Sequence, residues 1–149
     1  LQKEIQSEIQ GIALIPDFEL LTKASRQVLP SEFVYAKAVQ ASSRSNVLVA
    51  ALWQEDWENV SRIVEKDLFH EPYRETLIPF LTPVRKLAKD SGAIGTYLSG
   101  AGPTVMVLSS KENAPSIAQQ LQEQLPSELG NYNIQVLTVD QVGVRVEKR

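Results

Sequence analysis

The segment best suited to chemistry is a short loop with two glycines, Ser99-Gly100-Ala101-Gly102-Pro103-Thr104. Glycines one residue apart allow positive φ angles and let backbone N–H groups approach a ligand closely. A concave run of such donors can hold an anion. The same residues would equally suit a tight connection between two strands that binds nothing. The segment is neither a P-loop nor a dinucleotide fingerprint, because it lacks the residues that define each motif.

A second candidate is His70, the single histidine of the chain. A histidine can act as a general base near neutral pH. The interpretation we favour is a loop histidine that bonds to the backbone and positions Arg74, with Asp67 capping or tethering the same loop. One histidine and no cysteine exclude multi-histidine and thiolate metal sites, so no metal ligands are predicted.

Composition limits the class of protein. The 149 residues are 43% hydrophobic and 22% charged, which is typical of one globular domain. A net charge of -3 provides no basic surplus for nucleic acid. The chain has no apolar run long enough to span a membrane and no visible signal peptide, so we expect a cytoplasmic protein. It begins at Leu1 and its only methionine is Met106, so we expect an excised domain.

The elements that must position these residues follow from hydrophobic spacing. Apolar residues three and four positions apart predict helices over residues 19–29, 34–54 and 111–125, and another that begins near Asp56. Thr22 is a plausible start for the first of these. In the clearest helix, residues 34–54, the predicted inner face comprises Val34, Ala38, Ala41, Ser45, Leu48 and Leu52. Residues 73–90 are also helical in pattern, but Pro79 and Pro83 predict a kink or two short helices.

Strands are predicted from short apolar or alternating runs. They cover residues 12–15, 95–98, 104–108 and 133–139, and Val142, Val144 and Val146 alternate as in a final strand or extension. This order of elements suits an α+β fold, a ferredoxin-like antiparallel sheet with helices packed on one face. No domain boundary is visible within residues 1–149.

Residues 91–105, Ser-Gly-Ala-Ile-Gly-Thr-Tyr-Leu-Ser-Gly-Ala-Gly-Pro-Thr-Val, resemble the third signature motif of the GHMP kinases. That family includes galactokinase, homoserine kinase, mevalonate kinase and phosphomevalonate kinase. Its loop lies near the nucleotide phosphates and helps to shape the active site. The resemblance therefore implies that residues 99–104 form the nucleotide-side wall of a kinase active site.

Two more stretches are similar to the homoserine kinases within this family. In residues 16–30, Thr22 precedes Arg26 by four positions, ahead of Leu-Pro. Residues 67–79 match an Asp-x-x-His-x-Pro-Tyr-Arg-x-x-Leu-Ile-Pro block. The resemblance covers almost the whole chain in order. It implies transfer of the ATP γ-phosphate to the hydroxyl of L-homoserine, in threonine biosynthesis.

The same resemblance implies that Thr22, Arg26 and Arg74 bind the substrate, with Asp67 and His70 in support. The role suits arginine, because a guanidinium binds a carboxylate such as that of homoserine through two parallel hydrogen bonds. Each arginine could instead be a solvated residue or an ordinary ion pair, with Glu19 or Glu71 as the partner.

The family's main nucleotide loop, Pro-x-Gly-Leu-Gly-Ser-Ser-Ala, does not occur in this sequence, nor does a segment for its magnesium-binding carboxylate. In the family both lie in the N-terminal half. The resemblance thus implies that residues 1–149 are the C-terminal domain, without the ATP-binding domain. The cofactors ATP and Mg²⁺ would bind mainly outside it, and the isolated chain is expected to be inactive.

Two alternatives remain open at this stage. One is another GHMP kinase that acts on a different small alcohol. The other is a non-catalytic ferredoxin-like module that binds a ligand. A homodimer formed through an apolar sheet face or edge is compatible with either.

Overall fold

Four strands form a single antiparallel sheet in the computed structural model, which describes residues 3–6 and 8–147. The strands are β1 (Ile9–Pro16), β2 (Gly95–Leu98), β3 (Val105–Ser110) and β4 (Tyr132–Thr138). Their order is β2-β3-β1-β4, and the central strand β1 pairs Ile12 with Val107 on one side and with Val136 on the other. The predicted α+β class is confirmed, and each of the four main predicted strands overlaps an observed one.

Six α-helices accompany the sheet in the described part of the chain. They are α1 (Thr22–Gln27), α2 (Tyr35–Gln54), α3 (Trp57–Ile63), α4 (Glu71–Arg74), α5 (Leu81–Asp90) and α6 (Ala114–Gln124), with short 3-10 turns at Glu75–Leu77 and Ser127–Leu129. The predicted break within residues 73–90 separates α4 from α5. Pro79 lies in this break, and Pro83 lies in the first turn of α5, where a missing N–H removes no helical hydrogen bond. None of the described helices is both long and apolar enough to cross a bilayer.

The main core lies between α5, α6 and one face of the sheet. Alternate residues of β1 and β3 point into it, because successive side chains of a strand lie on opposite faces. Its fully buried members include Ile12 and Leu14 of β1, Val105 and Val107 of β3, Phe80, Val84 of α5, and Ile117 and Leu121 of α6. This is the layer that the sequence pattern predicted.

The opposite face of the sheet is covered less completely by α2 and α3, so the prediction that the helices pack on one face holds for α5 and α6 only. Val60 of α3 is fully buried there, and the side chain of Val64 lies against Gly95 of β2. Between these helices and the sheet remains an apolar cavity of about 390 Å³. Its walls include Leu48 and Tyr97.

The predicted inner face of α2 is wrong in part. Val34 is 76% exposed and only caps the helix, whereas Ala41 is buried and Leu48 and Leu52 line the cavity beneath α2, as predicted. The inner face also carries both cations of the helix. Lys37 Nζ donates a 2.6 Å hydrogen bond to the Tyr73 hydroxyl, and Arg44 Nη1 donates to a main-chain carbonyl after α3 at 3.0 Å.

The valines after β4 do not form a strand. Val144 is 93% exposed and Val146 is 84% exposed, and no strand of the described residues pairs with them. Alternation makes a strand possible, but a partner edge must be within reach for one to form. Here the alternating residues are an exposed extension.

Candidate functional site

One cleft of about 470 Å³ brings together residues from three distant segments of the sequence. It lies where α1, the start of α4, β2 and the glycine-rich loop meet. Its lining includes seven of the residues singled out from sequence, which are Thr22, Arg26, Asp67, His70, Arg74, Gly100 and Ala101. The fold therefore assembles the candidate substrate residues beside the loop.

Arg74 fastens the loop to α1. Its side chain is buried, and the residue is only 7% exposed. Nε donates to the carbonyl of Ser25 at 3.1 Å, and Nη1 donates to the carbonyl of Gly100 at 3.0 Å. Nη2 makes no hydrogen bond with any described residue. One guanidinium nitrogen thus remains for a ligand, while the other two hold the walls of the cleft.

Ser25 makes the second connection between α1 and the loop. It is fully buried, and its hydroxyl donates to the carbonyl of Ala101 at 2.7 Å. Ser25 was not among the residues predicted from sequence to form the site. The only signal for it was a small polar residue at the position just before Arg26, and that signal is weak because serine is common on solvated helix faces.

These two connections determine where the loop presents its donors. In a planar trans peptide the C=O and the N–H point in opposite directions. Because Arg74 holds the carbonyl of Gly100, the N–H of Ala101 in the same peptide unit points away from Arg74. The N–H groups of Gly100 and Ala101 make no hydrogen bond within the described residues, so both remain available as donors.

The loop itself is a closed turn. Ser99 N–H donates to the carbonyl of Thr104, and Gly102 N–H donates to the carbonyl of Ser99, each at 3.0 Å. Gly100 has a φ of +58° and Gly102 a φ of +85°. A Cβ on Gly102 would also lie 2.5 Å from Ile78 Cδ1, so a larger residue would have to displace the buried Ile78 side chain as well as adopt a strained backbone.

The loop separates two clefts. Pro103 and Thr104 do not line the first cleft but a second one of about 420 Å³, together with Asp17, Phe18 and Glu19. The six residues predicted as one wall therefore divide, with Gly100 and Ala101 on one side and the last two residues on the other.

Arg26 and Thr22 lie on the open side of the first cleft. Thr22 is the first residue of α1 and Arg26 lies one turn later, so the two share a helix face as their spacing predicted. Both are exposed, and neither side chain forms a hydrogen bond or ion pair within residues 3–6 and 8–147. The ion pair with Glu19 or Glu71 that the sequence left open is not formed there.

Asp67 tethers the segment that leads into α4. Its carboxylate accepts hydrogen bonds from the N–H groups of Phe69, His70 and Glu71 at 2.9, 2.8 and 2.7 Å. Burial alone raises the pKa of Asp67, but these three N–H groups and the charge of His70 outweigh it and hold the pKa below its ordinary value. The imidazole of His70 is half exposed, with Nδ1 3.5 Å from Asp67 Oδ2.

Glu71, which also lines the cleft, is neutralised by Arg85. Its Oε2 lies 2.6 Å from Arg85 Nη2, and its Oε1 accepts from the N–H of Leu98 at 2.8 Å. Glu65 likewise accepts from the N–H of Thr96 at 2.8 Å. Together these side chains close the outer edge of β2. This network was not predicted from sequence, because its members lie in α4, α5, β2 and the turn after α3.

The cleft as a whole suits an anion. Arg26, Arg74 Nη2 and the Thr22 hydroxyl can donate, while both carboxylates are already bonded. The described residues contain no cluster of three or more side chains suited to hold a metal ion. Asp67 and Glu71 are committed to backbone N–H groups and Arg85, so the cleft itself does not fit Mg²⁺.

Comparison with known proteins gives the family. Residues 48–127 match the C-terminal domain of the GHMP kinases. A homoserine kinase from Bacillus cereus is 48% identical over 142 residues, covering 95% of this chain and 46% of the relative. A homoserine kinase from Streptococcus sanguinis is 50% identical over 139 residues, covering 92% of this chain and 46% of the relative.

A solved structure of a homoserine kinase is also similar to this chain. The crystal structure of homoserine kinase from Cytophaga hutchinsonii superposes with a TM-score of 0.85 at 31% identity, covering 95% of this chain and 45% of that chain. The chain thus spans about half the length of the curated relatives that it matches. It belongs to the GHMP kinase family and corresponds to the C-terminal domain of these enzymes.

Proposed function

We propose that this chain is the C-terminal half of a homoserine kinase that transfers the γ-phosphate of ATP to the side-chain hydroxyl of L-homoserine, in the threonine biosynthesis of the cytoplasm. The observation that carries the proposal is the donor-lined cleft, where α1, α4 and the glycine-rich loop bring Arg26, Arg74, Gly100 and Ala101 together. Similarity to homoserine kinases over 95% of the chain supports the choice of substrate.

The two arginines have different tasks in this proposal. Arg26 is exposed and its side chain makes no hydrogen bond or ion pair within the described residues, so its whole guanidinium fork can take the α-carboxylate of homoserine. Arg74 adds one nitrogen, Nη2, because its other two hold Ser25 and Gly100. Thr22 adds a hydroxyl from the same face as Arg26. Asp67 and His70 support the cleft by fixing the start of α4.

The glycine-rich loop faces the nucleotide in this proposal. Phosphoryl transfer depends on positioning and on neutralising the charge of the transferred group. The N–H groups of Gly100 and Ala101 can supply part of that neutralisation. In this proposal, the ligands of Mg²⁺ and most contacts to ATP come from the N-terminal half of the full-length kinase. The 149-residue chain alone is therefore expected to be inactive.

The first test addresses the carboxylate. Arg26→Ala, made in the polypeptide that joins this chain to its nucleotide-binding half, is expected to raise KM for L-homoserine about 10- to 100-fold, the usual cost of a lost charged hydrogen bond. The matched control is Lys23→Ala, which removes a cation from the same helix but does not line the cleft. Equal effects on KM from both variants would remove Arg26 from the substrate site.

The second test addresses the reaction. Phosphorylation of L-homoserine by the joined polypeptide is measured by mass spectrometry, beside mevalonate, phosphomevalonate and 3-aminopropanol, which lacks the carboxylate. We expect O-phosphohomoserine as the main product and no product from the 149-residue chain alone. Preference for another alcohol would indicate a different GHMP kinase. Absence of transfer to any alcohol, with ligand binding retained, would indicate a binding module.

A further inference from the structure

The cleft that suits an anion also contains a carboxylate with little backbone support. Glu71 lines this cleft, and its side chain is only 11% exposed. Asp67, the other carboxylate of the cleft, accepts hydrogen bonds from three backbone N–H groups. Glu71 accepts from one, that of Leu98, at 2.8 Å. Because burial removes the water that would screen its charge, Glu71 needs a cation beside it before the cleft can accept an anionic ligand.

Arg85 supplies that cation from outside the cleft. It lies on α5 and does not line the cleft. Its Nη2 lies 2.6 Å from Glu71 Oε2 and also donates to the carbonyl of Thr96 at 3.2 Å. The bond to Thr96 anchors the guanidinium to β2, so its charge stays beside Glu71 and is not offered to the ligand.

The same contact keeps Glu71 away from the two arginines of the cleft. Glu71 and Arg74 are three positions apart, a spacing that brings side chains together on a helix surface. Neither Arg74 nor Arg26 forms an ion pair with Glu71 in the part of the chain that the structure describes. Both oxygens of Glu71 are held elsewhere, Oε1 by Leu98 N–H and Oε2 by Arg85. Without Arg85, the carboxylate of Glu71 would compete with the ligand for the same guanidinium groups.

We propose that Arg85 is a positioning residue that sets the affinity of the cleft for the α-carboxylate of the substrate. It acts through Glu71, whose charge it neutralises and whose side chain it holds away from Arg26 and Arg74. The inference rests on the proposed function, because it concerns the same cleft and the same substrate. It adds a determinant of substrate affinity that lies outside the cleft.

Glu65 separates this charge effect from a purely structural role of Arg85. Its Oε2 lies 3.7 Å from Arg85 Nε, and its Oε1 accepts from the N–H of Thr96 at 2.8 Å. Glu65 therefore supports the edge of β2 in the same way as Glu71 does. Glu65 does not line the cleft, so of these two glutamates only Glu71 can repel or displace an anion there. Variants of the two glutamates should accordingly differ in their effect on substrate affinity.

The first measurement is the KM for L-homoserine of Arg85→Met, made in the polypeptide that joins this chain to its nucleotide-binding half. Methionine keeps an apolar stem and removes the charge. We expect KM to rise about 10-fold or more, the effect of one unpaired charge in a poorly solvated cleft, with little change in kcat. The matched control is Lys86→Met, which removes an exposed cation from the next position of α5 and is expected to leave KM unchanged.

A double variant identifies Glu71 as the group through which Arg85 acts. Adding Glu71→Gln to Arg85→Met removes the unpaired charge and keeps an oxygen that can accept from Leu98 N–H. The double variant is expected to return the KM for L-homoserine close to the parent value. Glu65→Gln in the same Arg85→Met background is the matched control and is expected to leave KM raised. Thermal melting checks that each variant folds.

The role of the substrate carboxylate is tested with 3-aminopropanol, which lacks it. Its inhibition constant against phosphorylation of L-homoserine is expected not to rise in Arg85→Met, because it carries no anion for Glu71 to repel. General damage to the cleft would raise this inhibition constant as much as the KM for L-homoserine, and that result would overturn the proposal.

Arg85→Lys keeps the proposal testable if the methionine variant does not fold. Lysine retains the positive charge but not the planar fork of the guanidinium. A KM for L-homoserine close to the parent value is expected, because the charge beside Glu71 remains. A 10-fold higher KM in Arg85→Lys would mean that Arg85 acts through its geometry alone, which would contradict the neutralisation of Glu71.

Failure of this inference differs from failure of the proposed function. A parent polypeptide that does not phosphorylate L-homoserine contradicts the proposed function and removes this inference with it. A parent that does so, with a KM that Arg85→Met leaves unchanged, overturns the role of Arg85 alone. A raised KM that Glu71→Gln does not restore overturns it as well, because Arg85 would then act through another group.

Discussion

The two faces of the sheet differ in how completely they are packed. On the face against α5 and α6, the large side chains such as Phe80 and Ile117 are fully buried. On the face against α2 and α3, a cavity of about 390 Å³ remains, and its wall residue Leu48 is only partly buried. The first face therefore contributes most of the close packing of the core, and the second face contains space that its side chains do not fill.

The largest effect should come from deleting a side chain in the packed face. Phe80→Ala is expected to lower the free energy of unfolding by about 3–5 kcal/mol, because it opens a new cavity in a close-packed layer. Leu48→Ala on the other face should cost about 1 kcal/mol, because its side chain is partly buried and already borders a void. Urea denaturation of both variants measures the difference, and equal losses would contradict the comparison.

Adding one methylene to each face should have smaller effects on the free energy of unfolding, and the two effects should differ in sign. Val107→Leu enlarges a fully buried residue of β3 and is expected to destabilise by about 1–3 kcal/mol. Val139→Leu points into the cavity and is expected to stabilise by about 0.5–1 kcal/mol. Thermal melting of the pair provides the measurement. If Val139→Leu lowers the melting temperature as much as Val107→Leu, the second face is already full.

The smallest of these effects is a pH dependence of the free energy of unfolding, caused by Tyr97 on the second face. Burial raises the pKa of the Tyr97 hydroxyl above its ordinary value of 10.0. The folded protein therefore keeps this phenol neutral to higher pH than the unfolded chain does. The neutral Tyr97 phenol contributes fully to the free energy of unfolding below its pKa in the unfolded chain. This contribution is lost as pH rises through its pKa in the folded protein.

Replacing the phenol tests this dependence directly. Tyr97→Phe is expected to flatten the decline of the unfolding free energy above about pH 10. The other three tyrosines are unchanged in both proteins and cancel in the comparison. Identical slopes for the parent chain and Tyr97→Phe would show that the hydroxyl is solvated in solution.

Much of the packed face could be predicted from sequence, and the second face could not. Short apolar or alternating runs located the strands, and helical spacing located α5. In α2 the apolar residues lie all around the helix, and Lys37 and Arg44 point inward because their hydrogen-bond partners are there. Hydrophobic spacing alone therefore assigned the exposed Val34 to the inner face.

The site was predictable to the extent that its residues occur in recognisable motifs. The motifs identified the glycine-rich loop and three residues that line the same cleft beside it, which are Thr22, Arg26 and Arg74. Ser25, Glu71 and Arg85 were not identified as parts of the site, because each acts through a contact made across the fold. A hydrogen bond between residues that are 76 positions apart leaves no local pattern in the sequence.

The position of Arg74 has a consequence for the entropy of ligand binding. An arginine side chain that is free in solution loses about 2 kcal/mol of rotamer entropy when a ligand orders it. Arg74 has already lost that freedom on folding, since two carbonyls and its burial fix it. A ligand that bonds to Nη2 meets a rigid partner, whereas Arg26 must still be ordered. Calorimetry should then show a less unfavourable entropy for contacts through Arg74 than for contacts through Arg26.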